Sequence, residues 1–213
     1  MTTINADLFR ITYRFTSREE TRFYLQGVCV EKHPDLPGAL LVATDGHRAI
    51  VIHDATADVT HEGQMIVQAD KAFLAATKTG RGEVMPRVIR FSDSKAPAEV
   101  VVVDRPVALM HKWLIDGTFP AWRRVMPGIT DPAPVSVNAS LLADFIKTAA
   151  ELDGPSNAIR IEPAGDGAPM RVLFAAAPHI MGILMPYRWA ANTDTPAFLP
   201  QPVAPEPVAE AAE

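Results

Sequence analysis

The sequence predicts an α+β fold of repeated β-α-β-β-β units, with helices on one side and antiparallel sheet on the other. A short motif recurs about every 65 residues, as INADL (4–8), VQADK (67–71) and VNASL (137–141). After each copy, a helical spacing of apolar residues gives way to about three β-prone stretches. Because a single unit leaves a helix face and a sheet face partly uncovered, we expect the units to pack in pairs.

Each motif is expected to begin a helix. Asn5 and Asn138 are candidate N-caps, since their side-chain oxygens can accept hydrogen bonds from free amides of the first turn. Asp7 and Asp70 then fall in the first turn, where the helix dipole favours negative charge. The apolar faces predicted for the three helices are Leu8, Ile11 and Phe15; Phe73, Leu74 and Thr77; and Leu142, Phe145, Ile146 and Ala149.

Three strands are predicted after each helix. The alternation is clearest where Ile159 and Ile161 alternate with Arg160 and Glu162, as expected of a sheet with one face in water. The predicted strands are residues 22–31, 39–44 and 47–54 in the first unit, 87–92, 99–104 and 107–115 in the second, and 158–162, 170–175 and 180–187 in the third.

The composition limits the classes of function. The chain has 213 residues, of which 48% are hydrophobic, so it can bury a substantial core. A net charge of −5 argues against binding nucleic acid by overall charge, but it allows a local basic patch. Cys29 is the single cysteine, which predicts a buried core residue rather than a disulfide or a thiolate metal site. Without a charged leader or an apolar run of about 18 residues, the sequence predicts a soluble, cytoplasmic protein without membrane contact.

The segment TDGHR (44–48) is the most distinctive short stretch, but alone it also fits a hairpin with polar edges. His47 and His53 would share a strand face about 20 Å apart, too far to hold one metal ion. Asp45 and Asp116 each precede Gly, which favours a turn over acid–base catalysis. The sequence contains no P-loop, dinucleotide fingerprint or nucleophile motif. We therefore expect no enzyme, no cofactor and no metal.

Four stretches in order carry a resemblance to a known family: RFYLQG (22–27), ATDGHR (43–48), IDGTFPAWRRVMP (115–127) and LMPYR (184–188). Through them the chain resembles the bacterial β sliding clamp, the processivity subunit of DNA polymerase III. The family builds each lobe from two β-α-β-β-β halves, and six lobes form a ring whose helices line a DNA-sized hole. The resemblance therefore implies sliding-clamp lobes.

The resemblance also implies a domain organisation. Residues 1–128 would form a lobe like the middle lobe of the family, and residues 134–189 a half-lobe like the second half of the last lobe. Residues 190–213, rich in Pro, Ala and Glu, are predicted to be a disordered tail. The parts that close the family's dimeric ring have no counterpart here. Three half-lobes per chain would make a homo-oligomer of four chains the simplest full ring.

By the same resemblance, the TDGHR turn borders a hydrophobic pocket that accepts short peptides from polymerases, clamp loaders and repair proteins. Ala49 stands where family members commonly carry a larger aliphatic residue, so a wider pocket or an altered peptide preference is expected. The stems of Arg48 and His47 would border the slot while their polar heads stay in water. The expected pocket wall is Leu25, Thr44, Gly46, His47, Arg48, Pro120, Arg124, Val125, Ile183, Met185 and Pro186.

Contact with double-stranded DNA is the second implied property. Non-specific phosphate contact needs only basic point charges, and ordinary solvated helix faces would look the same in sequence. The sequence thus leaves two functions open: a clamp-like processivity factor, or a peptide-binding adaptor or decoy that forms no ring. The expected DNA-contact residues are Arg10, Arg14, Arg22, Tyr24, Lys71 and Lys78.

Overall fold

The structure, a computed structural model, describes residues 1–80, 83, 86–92, 96–126, 135–152, 156–165 and 167–187. The predicted domain boundary at 128–134 and the predicted tail at 190–213 lie outside these ranges. The first unit contains β1 (Thr2–Asn5), α1 (Ala6–Tyr13), a 3-10 helix (Glu20–Leu25), β2 (Val28–Lys32), β3 (Ala39–Thr44) and β4 (Arg48–Asp54).

The second and third units repeat this order with local differences. In the described residues before the third helix, 135–138, the chain forms no strand, in contrast to the prediction. The second unit contains β5 (Gln64–Val67), α2 (Lys71–Thr77), β6 (Val88–Phe91), β7 (Ala98–Val102), β8 (Arg105–Met110), β9 (Leu114–Ile115) and a 3-10 helix (Trp122–Val125), and the third contains α3 (Ala139–Glu151), β10 (Ile159–Glu162), β11 (Met170–Phe174) and β12 (Ile180–Leu184).

The described strands form two antiparallel sheets, as predicted for an α+β fold. One sheet has the order β1-β6-β7-β8, and the other has the order β10-β11-β12-β4-β3-β2-β5-β9. The first two units exchange their first strands, because β1 pairs with β6 and β5 pairs with β2. The third unit joins the larger sheet through pairing of β12 with β4.

Two hydrophobic clusters hold these layers together. The larger cluster lies between the helices and the sheets, and there the rings of Phe15, just after α1, and Phe145 on α3 are 4.8 Å apart. The smaller cluster contains Cys29, Phe119 and Trp122. Cys29 is fully buried, as predicted, and burial raises the pKa of its thiol.

The structure confirms two predicted helix caps and corrects a third position. Asn5 accepts hydrogen bonds from the amides of Asp7 and Leu8, and Asn138 accepts one from the Ser140 amide. Asp70 was predicted in the first turn of α2, but it is itself the N-cap and accepts from the Phe73 amide at 2.7 Å. The helix begins later because the Asp70 carboxylate can satisfy a first-turn amide.

Two further predictions were wrong. The start of the predicted strand 22–31 is not extended, because it belongs to the 3-10 helix Glu20–Leu25, which is kinked at Arg22; the Gln26 side chain bonds the Glu19 carbonyl across this turn. Ile146 was predicted on the buried face of α3, yet it is 55% exposed, because Phe145, Thr148 and Ala149 form the face that packs inward. Among the described residues, no helix combines the length and apolar character that a membrane span requires.

We expect Gly182→Ala to destabilise the fold by about 1–3 kcal/mol, because overpacking a tight core strains neighbouring side chains. A Cβ on Gly182 would overlap the Phe145 ring and lie 3.0 Å from Val172 Cβ. Urea unfolding measures the free energy of unfolding of the native protein and the variant. The same substitution in a Phe145→Leu background should cost less, and an equal cost in both backgrounds would contradict this packing.

Candidate functional site

The pairing of β4 with β12 brings two distant parts of the sequence together. Ala49 lies opposite Ile183, and Arg48 lies opposite Leu184. The ladder continues past the strand ends, since the Met185 amide donates to the His47 carbonyl at 3.0 Å. The end of β12 therefore lies directly beside the TDGHR turn.

The segment after Phe119 supplies a third element. Phe119 and Trp122 are almost fully buried and anchor this segment against the outer side of the larger sheet. The guanidinium of Arg123 stacks over the Trp122 ring at 4.3 Å and forms an ion pair with Glu31 on β2 at 2.6 Å. These contacts fix the short helix Trp122–Val125 next to the β4 turn.

A pocket of about 180 Å³ lies where these three elements meet. Every predicted wall residue except Arg124 and Pro186 lines it. Arg124 instead lines an adjacent cavity with Tyr24 and Phe119. The residues that line the pocket are Leu25, Thr44, Gly46, His47, Arg48, Ala49, Pro120, Ala121, Trp122, Val125, Ile183 and Met185.

Three of these residues were not among the predicted wall residues. Ala49 was noted only as a departure from the family, and Ala121 and Trp122 were missed. The sequence did carry a signal for Trp122, because a large aromatic between Pro120 and the basic pair Arg123 and Arg124 is expected to pack inward on one side. In the structure its ring faces both the core and the pocket lining.

The polar residues of the TDGHR turn mainly shape its backbone. Thr44 Oγ1 donates to the Arg48 carbonyl at 2.8 Å and accepts from the Gly46 amide at 3.1 Å. Asp45 Oδ1 accepts from the amides of His47 and Arg48. Gly46 has a φ of +92°, which favours glycine. These bonds close the turn, and His47 is exposed at its rim.

The charged head of Arg48 does not stay in water, contrary to expectation. Its side chain is only 10% exposed, and its guanidinium bonds Asp45 at 3.0 Å and Asp144 of α3 at 2.7 Å. It also donates to the Leu141 carbonyl and lies 4.9 Å from the centre of the Phe15 ring. The head is drawn inward because α3 supplies acceptors that the planar guanidinium can satisfy together.

These contacts also set the charge state of Asp144. Burial alone would raise the pKa of its carboxyl, but hydrogen bonds from Arg48 and Lys147 outweigh burial, so the pKa is lowered. Asp144 is therefore held as a carboxylate against Arg48. This ion pair links the pocket turn to α3.

Two of the predicted DNA-contact residues are engaged within the protein. Arg10 bonds Glu151 of α3 at 2.8 Å and Asp7 at 3.0 Å, and Arg14 pairs with the other oxygen of Glu151. Burial lowers the pKa of Arg10, but the hydrogen bonds that its guanidinium donates to Glu151 and Asp7 raise it overall. The charges of these two arginines are thus partly neutralised.

The other predicted DNA-contact residues lie in three places. Lys71 and Lys78 are exposed at the two ends of α2. Arg22 is exposed near Glu19, and Tyr24 packs half-buried against the smaller core. Lys71 shares one cleft with Arg10 and Arg14, and that cleft also includes Arg18, which was not predicted.

In the described part of the chain, no cluster of three or more His, Cys, Asp or Glu could hold a metal ion.

Solved structures share this architecture over most of the chain. DNA polymerase III subunit beta from Borrelia burgdorferi matches with a TM-score of 0.64 over 89% of this chain, at 16% identity. The Helicobacter pylori beta clamp bound to a DNA ligase peptide matches with a TM-score of 0.62 over 88% of the chain, at 13% identity. The Bacillus subtilis sliding clamp matches with a TM-score of 0.59 over 88% of this chain, at 16% identity.

The chain has the sliding-clamp fold. It spans 65% of the length of the Borrelia burgdorferi and Helicobacter pylori clamps and 64% of the Bacillus subtilis clamp. Neither the protein-family models nor the curated proteins give a match to the sequence. The likeness to sliding clamps is therefore one of three-dimensional structure.

We expect Asp144→Asn to lower the free energy of unfolding at neutral pH by about 1–2 kcal/mol, because a charge-assisted hydrogen bond to Arg48 is weakened. The folded-state pKa of Asp144 is below its ordinary value of 3.8. Its contribution is therefore fully present above pH 3.8 and is lost as the pH falls through the folded value. Urea unfolding at neutral and acidic pH should show the difference between native and variant shrinking in acid.

Asp104→Asn is the matched control, since the Asp104 side chain is 84% exposed in its ion pair with Arg90. It should change stability by less than about 0.5 kcal/mol. Equal effects of the two substitutions would contradict the role of the Arg48 and Asp144 pair.

Proposed function

We propose that this chain is a sliding-clamp-like, non-catalytic factor of DNA replication or repair in the cytoplasm. In this proposal its pocket binds short peptides of DNA polymerases and related partners. The observation that carries the proposal is the meeting of three distant segments in one small, mostly apolar pocket. The Helicobacter pylori clamp, solved with a DNA ligase peptide, shares the fold.

The size and lining of the pocket suit a peptide anchor. A volume of about 180 Å³ is well below the roughly 300–1,000 Å³ of sites for cofactors and drug-sized ligands. Leu25, Ile183 and Met185 can contact an apolar side chain, and Met adapts to anchors of different shape. We therefore propose that one or two apolar side chains of a linear peptide enter the pocket.

The small side chain of Ala49 is proposed to set the preferred anchor. Ala49 is 4% exposed and lies on β4 opposite Ile183, so its methyl group forms part of the inner wall. A larger aliphatic residue there would fill part of the pocket. We therefore expect this chain to accept a bulky anchor such as Phe.

Non-specific contact with duplex DNA is the second part of the proposal. The exposed cations Lys71 and Arg18, and Lys78 at the far end of α2, can approach phosphates without losing an internal partner. Arg10 and Arg14 are less available, because Glu151 pairs with both. That pairing favours the alternative, in which the chain is a peptide-binding adaptor or decoy without DNA contact.

Met185→Ala should weaken peptide binding about tenfold, because an apolar contact in the pocket is lost. The measurement is fluorescence anisotropy with a labelled peptide that carries the clamp-binding segment of a DNA ligase or polymerase. Met126→Ala is a matched control, since Met126 is 39% exposed and Met185 38%, but Met126 does not line the pocket.

Native affinity is expected for Met126→Ala. Equal affinity of native protein and Met185→Ala, or no binding by the native protein, would remove peptide binding from the proposal.

Replacing Lys71 and Lys78 together by Ala should weaken binding to a duplex DNA and reduce the slope of log affinity against log salt by up to about two. Lys32→Ala is the control, because Lys32 is exposed on β2 of the larger sheet rather than on a helix. Undetectable DNA binding by the native protein at low salt would favour the adaptor function over the clamp-like one.

A further inference from the structure

In each of the first two units, the first strand forms backbone hydrogen bonds along both of its edges. β1 pairs with β6 of the other unit on one side. On its other side, Thr3 exchanges two backbone hydrogen bonds with Asp58, just past the end of β4, at 2.8 and 3.0 Å. β5 likewise pairs with β2 of the other unit and with β9, which follows β8. Each first strand thus lies between the last segment of its own unit and a strand of the other unit.

Residues 135–137 precede α3 as β1 precedes α1, but in the described residues they form backbone hydrogen bonds on only one side. The Ser136 carbonyl accepts from the Tyr187 amide at 2.8 Å, just past the end of β12. Neighbouring residues of an extended chain direct their amides and carbonyls to opposite sides. The backbone amides and carbonyls of Val135 and Val137 therefore face the other side, where the described part of the chain supplies no strand.

β10 has the complementary free edge. Its counterparts β2 and β6 each receive the first strand of another unit, whereas β10 has β11 on one side and no strand on the other within the described residues. The Ala158 carbonyl accepts from the Ala175 amide, so by alternation Ile159 and Ile161 direct their backbone groups to the free edge. An apolar cavity of about 430 Å³ opens at the start of this strand.

The helices show the same incompleteness. Tyr13 stands eight residues after the N-cap Asn5, and its hydroxyl bonds the amide and carbonyl of Ala69, next to the start of the other unit's helix. Ile146 stands eight residues after the N-cap Asn138, but it is 55% exposed. The position that joins two units in the first case is thus an exposed apolar side chain in the second.

We propose that two copies of this chain pair through their third units. In this pair, residues 135–137 of each copy lie beside β10 of the other, and Ile146 packs near the start of α3 of the other copy. The contact is isologous and repeats between chains the exchange that the first two units make within one chain. It uses neither the peptide pocket nor the proposed DNA contacts, so it stands or fails separately from the proposed function.

The test is the solution mass of the 213-residue chain by sedimentation velocity at micromolar concentrations. The native protein should have twice the mass of one 23.1 kDa chain, or an even multiple of it. Ile146→Glu should raise the dissociation constant of the pair at least tenfold, because a charge enters the apolar contact. Val137→Pro should do the same by removing an amide that faces β10 of the other copy.

Val103→Glu is the matched control for Ile146→Glu. Val103 is 75% exposed in the turn between β7 and β8 of the smaller sheet, and it lies outside the proposed contact. It should keep the native mass. A native protein with the mass of one chain overturns the proposal. A native pair that persists unchanged in both Ile146→Glu and Val137→Pro also overturns it, and peptide binding measured on the same variants reports separately on the pocket.

Discussion

The pairing of β4 with β12 joins the third unit to the first and sets the geometry of the pocket. It is the only strand pairing that the described residues show between the third unit and the first two. The ladder fixes the register, and a shift of one residue would turn every β12 side chain to the opposite face of the sheet. Ile183 and Met185 can line the pocket only in the observed register.

Arg48 strengthens this junction from the helix side. Its stem lines the pocket, and its guanidinium reaches Asp144 and the Leu141 carbonyl on α3. A cation that is so little exposed needs acceptors on more than one side. The side chain therefore couples the shape of the pocket to the position of α3, and the two parts of the site are not independent.

Most of the fold could be predicted from the sequence, because the three motif copies reveal the repeat and its period. The caps at Asn5 and Asn138 and the strand Ala39–Thr44 follow from local sequence alone. Tertiary contacts decided the rest. The exposure of Ile146 and the inward position of the Arg48 head depend on which element lies beside α3, which a pattern along the chain does not contain.

The central claim is that three segments form one binding surface for a peptide. Hydrogen exchange of the backbone amides, with and without the labelled peptide, tests this claim most directly. If the three segments form one surface, peptide addition slows exchange at residues 44–49, 121–125 and 183–185 together. Protection confined to one of these segments, or found only elsewhere in the chain, would contradict it.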